Sequence, residues 1–347
     1  MKYFIKKDNL NLKKTYFVAE IGVNHNGNLQ LAKKMVLAAK SSNANAVKFQ
    51  TFKAKNLVTP QTPKAEYQKK NTSKNENHYE MIKSLEMSEA MHYQMFNFCK
   101  KNRIDFISTP YGIDDAKFLN NLGCKIYKTA SADIVDLEMH DYLAKKKKTV
   151  FISVGMSNLK EIKECVSIYN KNKNKNFVLL HCVSNYPCSH ESLNLNVLKK
   201  LSSTFNCRVG FSDHSIGPEA ATLSVALGAI IIEKHFTTSK KLKGPDQAAS
   251  TLPGDFLKMV NCVNKAQLIL GNDKKICQDE EKLMSIVSRK SLTVIKNLKK
   301  NTIMKKEYLK LKRPGSGLFY NKIGLILGKK IKKNMELNYQ IKLKDLK

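Results

Sequence analysis

Eight short runs rich in β-branched and aromatic residues, each followed by a segment of helical periodicity, fill the first three-quarters of this 347-residue chain. The runs are Phe17–Val23, Ala46–Phe52, Ile104–Thr109, Lys125–Ala130, Thr149–Val154, Phe177–Val183, Arg208–Ser212 and Ala229–Phe236. Between them, Leu29–Ala39, Met91–Lys100, Asp114–Asn121, Glu161–Tyr169 and Glu219–Leu227 space apolar residues as an amphipathic helix does, and a last such stretch covers Asp255–Leu270. Strands apolar on both faces must be covered on both, as in a parallel sheet sheathed by helices. Eight βα units of roughly 30 residues close most simply into an α/β fold of the (β/α)8, or TIM, barrel type. An open doubly wound sheet is the alternative, and no G-x-G-x-x-G follows the first run to favour it.

One interruption and one change of texture divide the chain further. Between the second strand and its helix lies a long polar stretch, Lys53 to Asn77, with Pro60 and Pro63. Its place after a strand puts it on the face where such barrels carry their chemistry. Residues 1–270 are read as the barrel and 271–284 as a charged linker. Residues 285–347 are read as a small β-rich domain with strands at Ser291–Ile295, Lys310–Lys312, Ile323–Leu327 and Gln340–Leu343, turning at Gly315, Gly317 and Gly328.

Charge narrows the partners. Lys and Arg number 61 against 29 Asp and Glu, a formal net charge of +32. Arginine occurs only at Arg103, Arg208, Arg289 and Arg313, whereas base and phosphate reading leans on arginine forks. The lysines are scattered, with short clusters at Lys145–Lys148 and Lys329–Lys333. A solvated basic surface that draws in anionic substrates is expected, with no nucleic-acid partner. The eight cysteines form no C-x-x-C pair, and Cys124, Cys182 and Cys262 sit within apolar runs, which points to a reducing compartment. Met1 to Lys14 lacks an apolar secretion core and no run is long enough to cross a membrane, so a cytoplasmic protein is expected.

In a barrel the C-terminal strand ends hold the reactive groups. Here they carry Glu20, then Asn24 and His25; Lys48 and Gln50; Ser108 and Thr109; Lys128, Ser131 and Asp133; Ser153; His181 and Ser184; Ser212, Asp213 and His214; and Glu233 and His235. Two lysines among small hydroxyls form a cradle for a phosphate or carboxylate. The plainer alternative is a pair of barrel lysines neutralised by Glu20 or Glu233. His214 and His235 lie on consecutive strands, about 5 Å apart, which suits two imidazoles meeting on one divalent metal with positions open for substrate and water. Mn²⁺, Mg²⁺, Co²⁺ and Zn²⁺ all suit such ligands. A non-enzymatic basic polymer-binding protein would leave this array without a purpose.

Six motifs in order resemble the sialic acid synthase family: Ala19-Glu-Ile-Gly-Val-Asn-His-Asn-Gly27, Val47-Lys-Phe-Gln-Thr-Phe-Lys-Ala54, Phe211-Ser-Asp-His214, Ile232-Glu-Lys-His-Phe-Thr237, Gly244-Pro-Asp246 and Lys312-Arg-Pro-Gly-Ser-Gly317. The resemblance implies a barrel followed by a SAF (antifreeze-like, β-clip) domain, a divalent cation, typically Mn²⁺, and a domain-swapped homodimer. It implies condensation of phosphoenolpyruvate, N-acetylmannosamine and water to N-acetylneuraminate and phosphate. By the same resemblance His214 and His235 hold the metal; Lys48, Lys128, Ser131, Ser153 and Ser212 hold phosphoenolpyruvate; and Glu20 moves a proton or stabilises the cation. Asp133 and Ser184 fall on the sugar side, Gln50, Tyr186 and Asp246 contact sugar or phosphate, and Arg313 reaches the N-acyl group in the partner's barrel. Asp133 stands where glutamate is common, Ser184 where some members have asparagine, and Gln247 where histidine is frequent. Legionaminic and pseudaminic acid synthases, which take 6-deoxy diacetamido sugars, share the motifs and are the alternative reading. The loop Glu66-Tyr-Gln-Lys-Lys-Asn71 resembles both sialic and legionaminic members.

Overall fold

A computed structural model describes residues 14–72 and 75–347, so the expectation for the N-terminal segment lies, but for Lys14, outside the described residues. The chain divides between Gly271 and Asn272 into two compact units.

The first unit is a closed eight-stranded barrel. Its strands are β1 (Tyr16–Gly22), β2 (Ala46–Thr51), β3 (Asp105–Pro110), β4 (Ile126–Thr129), β5 (Thr149–Ser153), β6 (Phe177–Cys182), β7 (Arg208–Asp213) and β8 (Ala229–His235). They pair in sequence order, all parallel, and β8 returns to β1 with Glu20 opposite His235. The expected barrel is the observed one.

The two-residue period of each strand sorts its side chains into two cores. Phe17, Ala19, Val47, Phe106, Tyr127, Val150, Leu179, Phe211 and Ile232 pack outward against the helices. Tyr16, Val18, Ala46, Ile107, Ile126, Phe151, Val178, Leu180 and Ile231 form a separate cluster that fills the barrel. Gly210 belongs to this inner face: a Cβ there would lie 2.5 Å from Leu180 Cδ2 and 2.9 Å from Ile231 Cβ. Two residues further along each strand, the same inward parity delivers Glu20, Lys48, Thr109, Lys128, Ser153, Cys182, Ser212 and Glu233. The barrel is thus apolar below and polar at its mouth.

The polar stretch after β2 is not a bare loop. It contains short helices at Ala54–Leu57 and Glu66–Asn71 and leads into His78–Ser84, although residues 73 and 74 lie outside the described residues. Asn77 accepts the Glu80 N–H while the Glu80 side chain accepts the Asn77 N–H, a capping box that starts the third helix. Met81 and Leu85 join Val23 and Phe52 in a satellite core.

In the second unit, β9 (Ser291–Val294) and β10 (Leu309–Lys312) pair antiparallel. The strand expected at Ile323–Leu327 is instead a 3₁₀ segment, Tyr320–Leu325, and the one at Gln340–Leu343 contributes a single bridge, Thr293 to Gln340. Other pairings here are equally isolated, as at Leu298–Met335 and Ile331–Leu346. Leu292, Val294, Met304, Ile326, Met335 and Ile341 supply the core, so apolar residues that suggested strands are spent on burial rather than on ladders. The expected linker ends in a helix, Lys282–Ser288. Among the described residues no helix is long and apolar enough to cross a membrane.

Candidate active site

The polar mouth is organised around Glu233. Its Oε1 lies 3.8 Å from Lys48 Nζ and 3.6 Å from Lys128 Nζ, and accepts the Ser212 hydroxyl at 3.0 Å. Lys48 also pairs with Glu20 at 2.8 Å and donates to Thr109 Oγ1 at 3.1 Å. Lys128 donates to Ser153 Oγ at 2.6 Å and to the Thr129 carbonyl at 3.0 Å. Both glutamates therefore pair with the lysines, as the plainer reading required, yet the charges do not fully cancel. Burial raises the Glu20 carboxyl to about 7 against the pull of Lys48, with Glu233 adding to the rise. Burial also opposes ionisation of Glu233, but Lys128 and Lys48 hold its carboxyl below the ordinary range. Near neutrality Glu20 is divided between its acid and carboxylate forms, so the two lysines face one ionised carboxylate and one partly protonated one. The balance leans positive, which suits an anion, and the protonated fraction of Glu20 is able to give up a proton.

Beside this cradle stand the two histidines, ring centroids 5.5 Å apart. Tyr186 packs on His214 at 4.1 Å and meets His235 edge-on at 5.3 Å. His214 Nδ1 lies 2.7 Å from the Val183 carbonyl, which can only accept, so that nitrogen donates and Nε2 is left for a ligand. His235 Nδ1 is buried with no hydrogen-bond partner. Burial, then the neighbouring His214 and Lys48, hold His235 neutral, leaving one unprotonated ring nitrogen able to bind a ligand. Burial lowers the His214 imidazole while the adjacent Cys182 raises it, the net shift being upward. Among the described residues no group of three or more His, Cys, Asp or Glu gathers as a metal cage. A fixed tautomer on one ring and an unpartnered nitrogen on the other fit a divalent cation held by two protein ligands, with oxygen donors from elsewhere.

The remaining barrel residues line the same mouth. Ser131 Oγ accepts the Gly155 N–H at 3.0 Å, and a Cβ on Gly155 would lie 2.8 Å from that oxygen and 2.7 Å from Ser184 Oγ. Gly155 is thus a residue that strand-end reading missed; the only signal was a glycine two places after Ser153. Gly155→Ala should displace both hydroxyls and lower kcat/KM for the anionic substrate by about 10²-fold, the scale of a misplacement of about 1 Å. Steady-state kinetics with each substrate varied in turn checks this, and unchanged values for the anion would remove Gly155 from the cradle.

Gln50 Nε2 donates to Glu20 Oε1 at 3.3 Å. Asp246 lies within the fields of His214 and Lys48, and burial lifts its carboxyl to about 6. Gln247 is buried and braces two loops, donating to the Asn24 carbonyl at 2.8 Å and accepting from Thr237 at 2.5 Å. Asp133, in the 3₁₀ turn Ser131–Val135, has a buried Oδ2 without a partner. Burial, then repulsion from Asp136, raises its carboxyl from 3.8 to about 7. The fold therefore favours neutral Asp133, a stabilisation present at low pH and lost as pH rises through about 7. Thermal unfolding of the wild type should weaken over that range, and Asp133→Asn should weaken less; equal slopes would show that Asp133 ionises freely.

Three strand-end groups leave the site. His181 turns outward to the Leu193 carbonyl at 2.6 Å, and His25 accepts the Gly27 N–H at 3.0 Å within its own turn. Asp213 points away from the histidines and pairs with Lys234. Arg313 belongs to the second unit, where it lines a surface depression with Asn338, Gln340 and Lys342.

The chain is similar to known proteins. The NeuB family matches residues 35–275. The chain is 41% identical over 324 residues, 92% of its length and 91% of the relative's, to N,N'-diacetyllegionaminic acid synthase of Legionella pneumophila. It is 40% identical over 326 residues, 93% of its length and 97% of the relative's, to the protein of the same name from Campylobacter jejuni. The structure of N-acetylneuraminic acid (sialic acid) synthetase from Leptospira borgpetersenii superposes with a TM-score of 0.69 at 32% identity, covering 78% of this chain and 90% of that one. With the family match spanning most of the barrel, and two relatives alike over more than nine-tenths of this chain, the chain belongs to the NeuB family, that of the sialic acid synthases, and is an enzyme of nonulosonic acid synthesis.

Proposed function

We propose that this enzyme condenses phosphoenolpyruvate with a 6-deoxy diacetamido sugar, 2,4-diacetamido-2,4,6-trideoxymannose, to give N,N'-diacetyllegionaminic acid and phosphate. The observation that carries the acceptor is the near full-length similarity to two proteins named N,N'-diacetyllegionaminic acid synthase. This reverses the order of the two acceptors read from the sequence, where N-acetylmannosamine came first.

Lys48, Lys128, Ser131, Ser153 and Ser212 hold the phosphate and carboxylate of the enol so that its C3 faces the sugar aldehyde. C3 attacks the aldehyde carbon, and the aldehyde oxygen takes a proton, which protonated Glu20 is placed to supply. Water then adds at C2 and loses a proton, and phosphate departs to leave the C2 ketone. His214 and His235 would hold a divalent cation, Mn²⁺ by preference and Mg²⁺ or Co²⁺ in its place, which would supply Lewis acidity toward the aldehyde. Asp133, Ser184, Gln50, Tyr186 and Asp246 orient the acceptor.

The second unit is read as a SAF domain that delivers Arg313 to the acceptor's N-acyl group in a partner subunit. Its helix Lys282–Ser288 leaves Leu283, Met284, Ile286 and Val287 exposed, which supports an interface with a second copy of the chain. We place the enzyme in the cytoplasm. Phosphate release measured side by side with the diacetamido trideoxy sugar, N-acetylmannosamine and the pseudaminic-type isomer tests the acceptor. A clear preference for N-acetylmannosamine would restore the sialic acid reading.

A further inference from the structure

The ion pair behind the histidines has no part in the chemistry above, and its cost asks for a reason. Asp213 and Lys234 are both buried, with side chains 0% and 5% exposed. Burying a pair of charges is weak support for stability, since well-packed apolar residues of similar volume commonly do as well. Position is what this pair supplies. Asp213 and Lys234 are register partners on β7 and β8, one residue before His214 and His235 respectively. The Lys234 ammonium binds the Asp213 carboxylate and, at 2.7 Å, the Ser215 carbonyl. Asp213 Oδ1 in turn accepts the Ser215 N–H at 2.9 Å and its hydroxyl at 2.6 Å. One side chain from β8 therefore grips the residues on both sides of His214.

We infer that Asp213 and Lys234 are positioning residues, a clamp that fixes the separation and orientation of His214 and His235 for a shared divalent cation. The inference rests on the metal reading proposed above. Strand parity explains the division of labour: Ser212, His214, Glu233 and His235 face the mouth, while the residues between them face the helix shell. Fixing the rings from that side leaves the mouth free for substrate.

Mn²⁺ titration of the metal-free protein, followed by the loss of the free-ion electron paramagnetic resonance signal, tests the clamp together with thermal unfolding and phosphoenolpyruvate affinity without metal. Lys234→Met should weaken Mn²⁺ binding about 10–100-fold, the range for residues that orient metal ligands. Lys234→Arg should recover part of the loss. The decisive protein is the double variant Asp213→Leu, Lys234→Met, which leaves no unpaired buried charge. It should unfold within a few degrees of the wild type and bind phosphoenolpyruvate normally, yet bind Mn²⁺ at least about 10-fold more weakly. Wild-type Mn²⁺ affinity in the double variant would overturn the clamp and leave the metal site standing. Weakened Mn²⁺ binding only in step with a collapse of thermal stability would also overturn it, making the pair structural. If the wild-type protein itself binds no divalent cation, the metal reading fails and takes the clamp with it.

Discussion

His235→Ala is expected to lower phosphate release from phosphoenolpyruvate by about 10³-fold or more, with thermal unfolding shifted by only a few degrees. The ring is neutral and its Nδ1 is buried without a partner, so its removal breaks no hydrogen bond at that atom. A Lewis acid contributes several kcal/mol to the transition state, and about 4 kcal/mol corresponds to about 10³-fold in rate. His214→Ala should match the rate loss but cost more stability, because His214 also ties β7 to the Val183 carbonyl at 2.7 Å. Phosphate-release assays across a Mn²⁺ series, with unfolding curves for both variants, separate the effects. Full activity in His235→Ala at every Mn²⁺ concentration would show that this ring holds no catalytic metal.

The barrel was legible because a parallel sheet buried on both faces needs long apolar strands, and those stand out from their surroundings. Boundaries came within about two residues, since inward polar groups such as Lys48 and Lys128 interrupt their apolar runs only singly. Four- and seven-residue helices after β2 are too short to show a period, and the capping-box spacing of Asn77 and Glu80 was not read as a helix start. In the second unit, isolated bridges do not require alternating residues, so apolar runs there were mistaken for strands.

At the site, sequence named the groups but not which way they face. Two-residue parity was enough to place Glu20, Lys48, Lys128, Ser153, Ser212 and Glu233 on one surface. It was not used to exclude His181 and Asp213, which alternate onto the other. Gly155 escaped because its contribution is the space it leaves beside Ser131 and Ser184. Glu233 was noticed only as a possible neutraliser, since a sequence does not show that one carboxylate touches two lysines and a serine.

That hub gives the sharpest test of the anion cradle. Glu233→Ala should destabilise the protein by about 3–5 kcal/mol, because it leaves Lys48 and Lys128, side chains 5% and 3% exposed, without their shared counter-charge. Glu20 cannot make up the difference: it is paired with Lys48, and among the charges acting on Lys128 it ranks behind Glu233. Glu233→Gln, which keeps an acceptor for the Ser212 hydroxyl, should fall between the variant and the wild type. An anion entering the cradle would replace the missing charge, so phosphoenolpyruvate should raise the Tm of Glu233→Ala by more than it raises that of the wild type. At one saturating ligand concentration the excess measures tighter binding by the variant, each tenfold fall in Kd adding about 1.4 kcal/mol of stabilisation. Neutral sugars should give no such excess. Two lysines kept only to balance two glutamates would produce the destabilisation without the rescue, whereas lysines set to receive a substrate anion produce both.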